Sequence, residues 1–404
     1  MAQPVPRRHP ESPRPVPPGI AVIGRALGVH GPDSREFARL GELLMAGDPA
    51  MDAFVEWMTH EGSRTVRPQF EQALAHGIDS VPDAPGPLRE LFEGLEATPG
   101  WVDPEQLRIA AATMRSGGAD GLYIARDVAL LGGYQFAGFN QTLLRTGALE
   151  KGSNTRFAET SQWAMDVIAP GGLDRFGPGY RSTILVRFIH SMVRRHVEAM
   201  PDWDDTEWGL PINQTDMAAT LVGALVAPSI GGLGLGLVNR PAEYRAIAHL
   251  TRYVGWLIGV QDDLLPTDFG DSVRLLLHTS AALATPDETS KRLARPMADD
   301  PLQWRYPRFQ DLRRRIARSQ HLSISTGFLG RHAMATLGLP TRVFPWYQVV
   351  AVPRNLVKSG IGVLPGGRRR TAERGYRDAL DFMAVMTPDP ATIGETTTVA
   401  EHVA

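Results

Sequence analysis

Residues 180–197 read YRSTILVRFIHSMVRRHV. Apolar residues recur three and four apart through the stretch, which is helical periodicity, and the run is apolar enough for a buried helix. His190 lies inside the apolar stripe. Val186 and Val193 stand four residues before it and three after. Arg187 and Arg194 stand three before and four after, so all four share the side of the helix that carries His190. An imidazole so placed needs a partner.

Working outward, the same periodicity recurs from about residue 35 to about residue 385. It predicts helices over 35–45, 104–115, 120–131, 154–168, 241–260, 324–337 and 371–383, and strand signals are nearly absent. The fold class is all-α. Two stretches of low periodicity, 82–99 and 284–307, read as connections within one body, because helices of similar character flank them. The expected organisation is a disordered proline-rich leader over 1–33, a catalytic domain over 34–386 and a disordered tail over 387–404.

Composition narrows the function. Hydrophobic residues make up 43% and charged residues 21% of 404, a globular balance with a core large enough to enclose a cofactor. With 42 basic and 44 acidic residues the total charge does not call for a nucleic-acid partner. The absence of cysteine removes disulfides, thiolate-ligated heme, iron–sulfur clusters and cysteine nucleophiles together, so any metal must use His, carboxylate or Tyr. Seven prolines interrupt the first twenty residues and leave no apolar export segment, which predicts a cytoplasmic protein. Residues 221–238, LVGALVAPSIGGLGLGLV, carry no charge over 18 residues, but Pro228 and five glycines favour a buried helix breaking at Ala227-Pro228 over a membrane span.

A second segment, NTRFAETSQWAMDVIA at 154–169, sets Arg156, Glu159 and Thr160 on one polar face. A solvated surface accounts for that face taken alone. Likewise a core histidine bonded to a carbonyl, with two arginines snorkelling to solvent, accounts for the helix of His190. A heme b accounts for all the residue types at once. Iron takes a neutral imidazole, the porphyrin faces take apolar cover, and the propionates take cations that are always charged and bidentate.

The motifs taken together point further. Arg-x-x-Glu-Thr at 156–160, Arg-x-x-His-x-x-x-Arg at 187–194, Gly-Leu-Pro-Ile-Asn-Gln at 209–214, Arg-Tyr-Val-Gly-Trp-Leu-Ile-Gly-Val at 252–260, Asp-Asp-Leu-Leu-Pro at 262–266 and Leu-Gly-Leu-Pro at 337–340 resemble, in order and spacing, the MpaB and latex-clearing-protein (rubber oxygenase) superfamily. The resemblance covers roughly residues 100–360. It implies a globin-like helical core with additional helices enclosing one heme b, and chemistry with dioxygen, or a peroxide, on a hydrophobic small molecule. It also implies His190 as proximal iron ligand, Arg187 and Arg194 in the same heme-side segment, where Val186 and Val193 share the side of His190, and Arg156 and Thr160 in the distal or heme-contacting set, beside which Glu159 is the expected distal base or proton shuttle. Where the rubber oxygenases carry a distal lysine this chain has Glu159, and where they carry a distal acidic base it has Asn140. Both departures argue against rubber cleavage and for a small diffusible substrate, as in secondary metabolism.

Two other classes stay open at this point. Asp262 and Asp263 invite comparison with the magnesium site of isoprenoid cyclases, although Pro266 interrupts the helix and no second metal motif follows. A non-catalytic heme carrier would keep His190 without needing a polar distal face. Among the other histidines, His196 points to another side of the helix, and His249, His278, His321 and His332 have no convergent arginine pair.

Overall fold

A computed structural model describes residues 4–16, 18–147, 152–283 and 285–387, and among them there are helices and no β-strand. At the centre lies an antiparallel hairpin of Ser153–Ile168 and Pro178–Glu198. Pro178 opens the second helix, where its missing N–H costs nothing and its fixed φ suits the first turn. Glycine closes the connection. A Cβ on Gly172 would lie 2.2 Å from the Asp166 carbonyl oxygen, and one on Gly179 would lie 2.6 Å from the Cα of Val167. Four residues on, Trp163 Nε1 donates to Thr183 Oγ1 at 3.0 Å. The pairs Gly179 with Val167 and Thr183 with Trp163 share one register, each step forward on one helix matching a step back on the other.

The outer face of the His190 helix is sealed by aromatic packing. Phe188 stacks on Phe70 with ring centroids 4.6 Å apart and meets Phe54 at 6.3 Å. Each such buried ring contributes roughly 1.5–3 kcal/mol. Phe54 belongs to Pro49–Glu61, which packs on the His190 helix. Pro241–Leu257 bridges Pro104–Gly117 and the His190 helix, and Gly367–Met386 covers Pro104–Gly117 from another side.

Several expectations need correction. The described residues 4–16 and 18–33 of the expected leader include segments docked on the body. Arg8 forms a 2.7 Å ion pair with Asp216 in which both side chains are buried, and the amides of Arg7 and Arg8 donate to the carbonyls of Thr206 and Glu207. Proline prevents an apolar helix early in this stretch but not docking of an extended segment, and a helix, Pro18–Ala26, follows and packs on Phe269–Ala282. The stretch 82–99 contains a helix, Gly86–Glu96, burying Leu88, Leu91, Phe92 and Leu95. The stretch 284–307 contains Glu288–Asp299, which tolerates Pro296 in its last turn. The expected tail lies outside the described residues apart from Thr387.

The apolar 221–238 stretch does break where expected, but into two helices, Gln214–Leu225 and Ala227–Gly234, not into a loop. By length and composition Gln214–Gly234 could cross a membrane; here Leu221, Val222, Leu225, Val226 and Ile230 are core residues. Its glycines bring helices close. A Cβ on Gly231 would meet Ile124 Cγ2 at 2.6 Å, and one on Gly234 would meet Phe328 Cε1 at 2.6 Å.

The expected 120–131 helix is α-helical to Ile124 and then widens into a π-helix over Ala125–Leu130. The wide turn carries two successive residues, Arg126 and Asp127, into the interior together, 1% and 0% exposed.

Candidate functional site

The central hairpin is zipped at its loop end and open at the other. Counting by sevens from the Trp163–Thr183 bond, Arg156 on one helix and His190 on the other fall at one level and on the facing sides. Near the loop the facing residues Trp163, Val167, Gly179 and Thr183 are buried. At the far end Arg156, Glu159, Val186, Arg187 and His190 each keep part of their surface open, and Thr160 is exposed. The space beside these partly accessible side chains is the gap at the open end of the hairpin.

His190 borders this gap with part of its surface accessible. Its Nδ1 is buried and has no hydrogen-bond partner among the described residues. Burial holds its pKa down to about 4, with the Arg194 charge adding to the shift and Asp48 opposing it. The ring is therefore neutral at physiological pH, the form a metal requires. Val193 is buried and Val186 half-buried on the same side.

The two arginines that bracket His190 are already engaged. Arg187 makes a bidentate pair with Asp48, Nε to Oδ2 at 2.5 Å and Nη2 to Oδ1 at 2.7 Å. Arg194 donates to Asp52 Oδ1, to the Pro211 carbonyl at 3.2 Å and to the Ile212 carbonyl at 2.7 Å. Both carboxylates come from the start of the Pro49–Glu61 helix, and Asp48 is its N-cap. Sequence reading named the arginines and missed Asp48 and Asp52, because nothing local links positions about 140 residues apart.

Across the gap Arg156 forms no ion pair among the described residues. Burial lowers its pKa, and the groups acting on it electrostatically are Tyr134 and Glu159. The Thr160 hydroxyl bonds back to the Arg156 carbonyl at 3.1 Å and so adds to the helix more than to the gap. Asn140 is fully buried, with Nδ2 donating to the Tyr134 carbonyl at 2.8 Å and Oδ1 unpartnered.

Behind Tyr134 lies a polar network the sequence did not disclose. Tyr134 feels the charges of Arg156, Asp300 and Arg126. Arg126 pairs with Asp127 at 2.7 Å, Asp127 accepts from or donates to His321 Nδ1 at 2.5 Å, and Asp300 accepts from Ser153 Oγ at 2.8 Å at the start of the Arg156 helix. Trp304 and Tyr123 close edge-on over His321. The signal that hid this network is the π-helix, which breaks the 3.6-residue period that sequence reading uses.

The other candidates do not converge. Asp263 is a surface residue paired with Arg39 at 3.0 Å, Asp262 beside it is exposed, and among the described residues no group of three His, Asp or Glu could hold a metal ion. His249 accepts from the Asp103 amide at 2.9 Å and His278 contacts the His30 carbonyl at 3.0 Å.

Residues 122–355, more than half of the chain and both helices of the hairpin, match the family described as ER-bound oxygenase mpaB/B′/rubber oxygenase, catalytic domain. The chain belongs to that family and is an oxygenase, an oxidoreductase on an all-α fold. Among solved structures it is similar to latex clearing protein in its closed state, with a TM-score of 0.63 and 18% identity over 82% of this chain and 88% of that one. No curated protein matches it.

Proposed function

We propose that this chain is a heme b oxygenase acting with dioxygen on a hydrophobic small molecule, with the porphyrin seated in the open end of the hairpin and His190 as its iron ligand. The observation that carries this reading is a neutral imidazole with an unpartnered buried Nδ1 at the open end of the hairpin, across from an arginine that forms no ion pair among the described residues. The donor set fits the group. A His ligand suits ferrous and ferric heme, Val186 and Val193 offer apolar cover, and Arg156 is a cation available for an anionic group. Arg187 and Arg194 fit less directly, since Asp48 and Asp52 hold their donors; their part is to fix the His190 helix against Pro49–Glu61.

When bound, the heme supplies activation of dioxygen or a peroxide. The protein's own part is to orient and to exclude water. His190 is held neutral by burial, and the Phe188–Phe70–Phe54 cluster keeps its helix in place. Arg156 presents guanidinium donors to the gap, where low dielectric strengthens any hydrogen bond to an oxygen. Glu159, one turn along, is placed to carry a proton to or from that region. A carboxylate at 159 cannot supply the amine that a lysine would, so Glu159 would act on the bound group through its charge and its proton and not as a cationic lid.

The test is an absorption spectrum followed by turnover. A purified chain with a Soret band that shifts at once on adding cyanide or imidazole, and that consumes dioxygen with an apolar substrate, fits the proposal. A colourless, magnesium-dependent protein belongs to the cyclase reading, and a coloured protein that consumes neither dioxygen nor peroxide with any candidate substrate is a carrier. Glu159→Gln should keep full heme content and lose turnover.

A further inference from the structure

From Leu312 to Ala372 the chain contains eleven Lys and Arg residues and not one Asp or Glu, although the whole protein carries a formal charge of −2. The same region holds most of the large apolar side chains left in solvent. The helix Trp346–Val363 is built inside out. Its inner face presents polar groups: the Tyr347 hydroxyl and Asn355 Nδ2 both bond to buried Asp120, at 2.5 and 2.9 Å. Its outer face presents Val349, Val350, Leu356, Val357 and Ile361, with Leu364 just beyond, in rows seven residues apart that run the helix's full length. Val349 and Val357 are each 66% exposed, and Phe344 just before the helix is 71% exposed.

The stripe continues onto the neighbouring helix Gln310–Thr336, where Trp346 Nε1 donates to Ser319 Oγ at 3.1 Å and Ile316, one turn earlier, is exposed. A soluble surface helix shows the reverse pattern, and contiguous exposed apolar patches mark interaction sites.

We propose that this face docks on an anionic lipid bilayer surface, with the Trp346–Val363 stripe lying in the headgroup–acyl boundary and the surrounding arginines on the lipid phosphates. Two observations choose this occupant. The exposed cations Arg342, Arg369 and Arg370 flank the apolar stripe, the arrangement of an interfacial helix drawn to anionic lipid. Five of the eleven cations are paired within the chain, Arg314, Arg318, Arg354, Arg368 and Arg369 with Asp311, Asp299, Asp120, Glu243 and Glu373, but a second copy would still set the exposed Arg342 and Arg370 of one face against those of the other. A nucleic acid would match the charge but would leave six large aliphatic side chains against water or phosphate.

A cavity of about 100 Å³ opens beside the stripe. Its lining runs from Lys358 and Ser359 on this helix to Ala125, Ala164 and Met165 in the core. The docking proposal does not rest on the heme reading, and its test does not use the heme.

The experiment is flotation of the full chain with vesicles of phosphatidylcholine alone or mixed in equal parts with phosphatidylglycerol, at low and high salt. The expected result is binding to the mixed vesicles only, weakened by salt. Arg369→Gln should weaken it about fivefold and Arg369→Gln with Arg370→Gln about twenty-five-fold, the worth of one and two charges near an anionic surface. Val357→Glu with Ile361→Glu, both on the solvent side of the helix, should abolish it while leaving helicity and melting temperature unchanged. The proposal is overturned by equal binding to both vesicle types, by no binding to either, or by binding that requires removal of residues 388–404, which would make that segment the occupant. It is equally overturned if the double glutamate variant dissociates a dimer, or loses RNA or DNA retention, while keeping its lipid binding.

Discussion

Arg156 and His190 stand opposite one another on two antiparallel helices, each seven residues beyond the Trp163–Thr183 hydrogen bond. Nδ1 of His190 has no hydrogen-bond partner, and Arg156, desolvated by burial, forms no ion pair among the described residues, with Glu159 one turn along acting on it only electrostatically. A desolvated cation and a desolvated imidazole kept facing one another cost folding energy, which is the mark of positions held for a ligand.

That cost is measurable at Arg156. Replacing it with Met keeps the length of the side chain and removes the desolvated charge, so Arg156→Met should raise the stability of the heme-free protein by about 1 kcal/mol, about one degree in melting temperature for a chain of this length, while turnover falls at least tenfold. Thermal denaturation and oxygen uptake on the same preparation check both halves. A variant that loses both stability and activity would make Arg156 a structural residue.

The Asp48–Arg187 pair predicts a double-mutant signature. Both side chains are nearly buried, 4% and 11% exposed. Asp48→Leu or Arg187→Leu alone should destabilise by about 3–5 kcal/mol, because each strands the other charge, whereas the double replacement should recover much of the loss. Denaturant titration of the three variants gives the coupling. Additive losses would mean that the two residues act independently.

Asp300 sets a pH dependence. Burial raises its pKa from 3.8 to about 6, against the pull of Arg126 and Ser153. Its folded pKa lies above the unfolded one, so the folded state binds the proton more tightly between pH 4 and 6, and stability falls as pH rises through that window. Asp300→Asn keeps an acceptor for Ser153 Oγ and removes the titration. Its stability relative to the parent should therefore rise across pH 4–6, by up to about 3 kcal/mol, and stay level above pH 7. Equilibrium unfolding at several pH values reads this, and a difference independent of pH would show that Asp300 is ionised throughout.

Much of this was legible in the sequence. The two site helices are legible through period, through Pro178 and through the glycines of the 169–177 turn, and the helical spacing alone puts His190 with Arg187 and Arg194 on one side of its helix and Arg156 with Glu159 and Thr160 on one side of the other. Other parts were hidden for identifiable reasons. Pro82, Pro85 and Pro87 masked the helix 86–96, although Leu88, Leu91, Phe92 and Leu95 have helical spacing and Pro87 merely opens it. The Arg126–Asp127–His321 network depends on a π-helix, whose extra residue shifts the phase of any periodicity argument. Arg8 on Asp216, Asp48 on Arg187 and Asp52 on Arg194 are long-range pairs that no window of sequence contains. The apolar outer face of 346–363 reads from sequence as core, since periodicity reports which residues share a face and not what covers it.

The central claim is the role of His190, and the absorption spectrum of purified protein beside His190→Ala tests it most directly. Alanine favours the helix and leaves the Phe188 cluster untouched, so circular dichroism should match the parent within error. The account predicts one heme b per chain and a strong Soret band in the parent, and loss of stoichiometric heme in His190→Ala with helicity retained. A His190→Ala protein that kept full heme and an unchanged spectrum would contradict it.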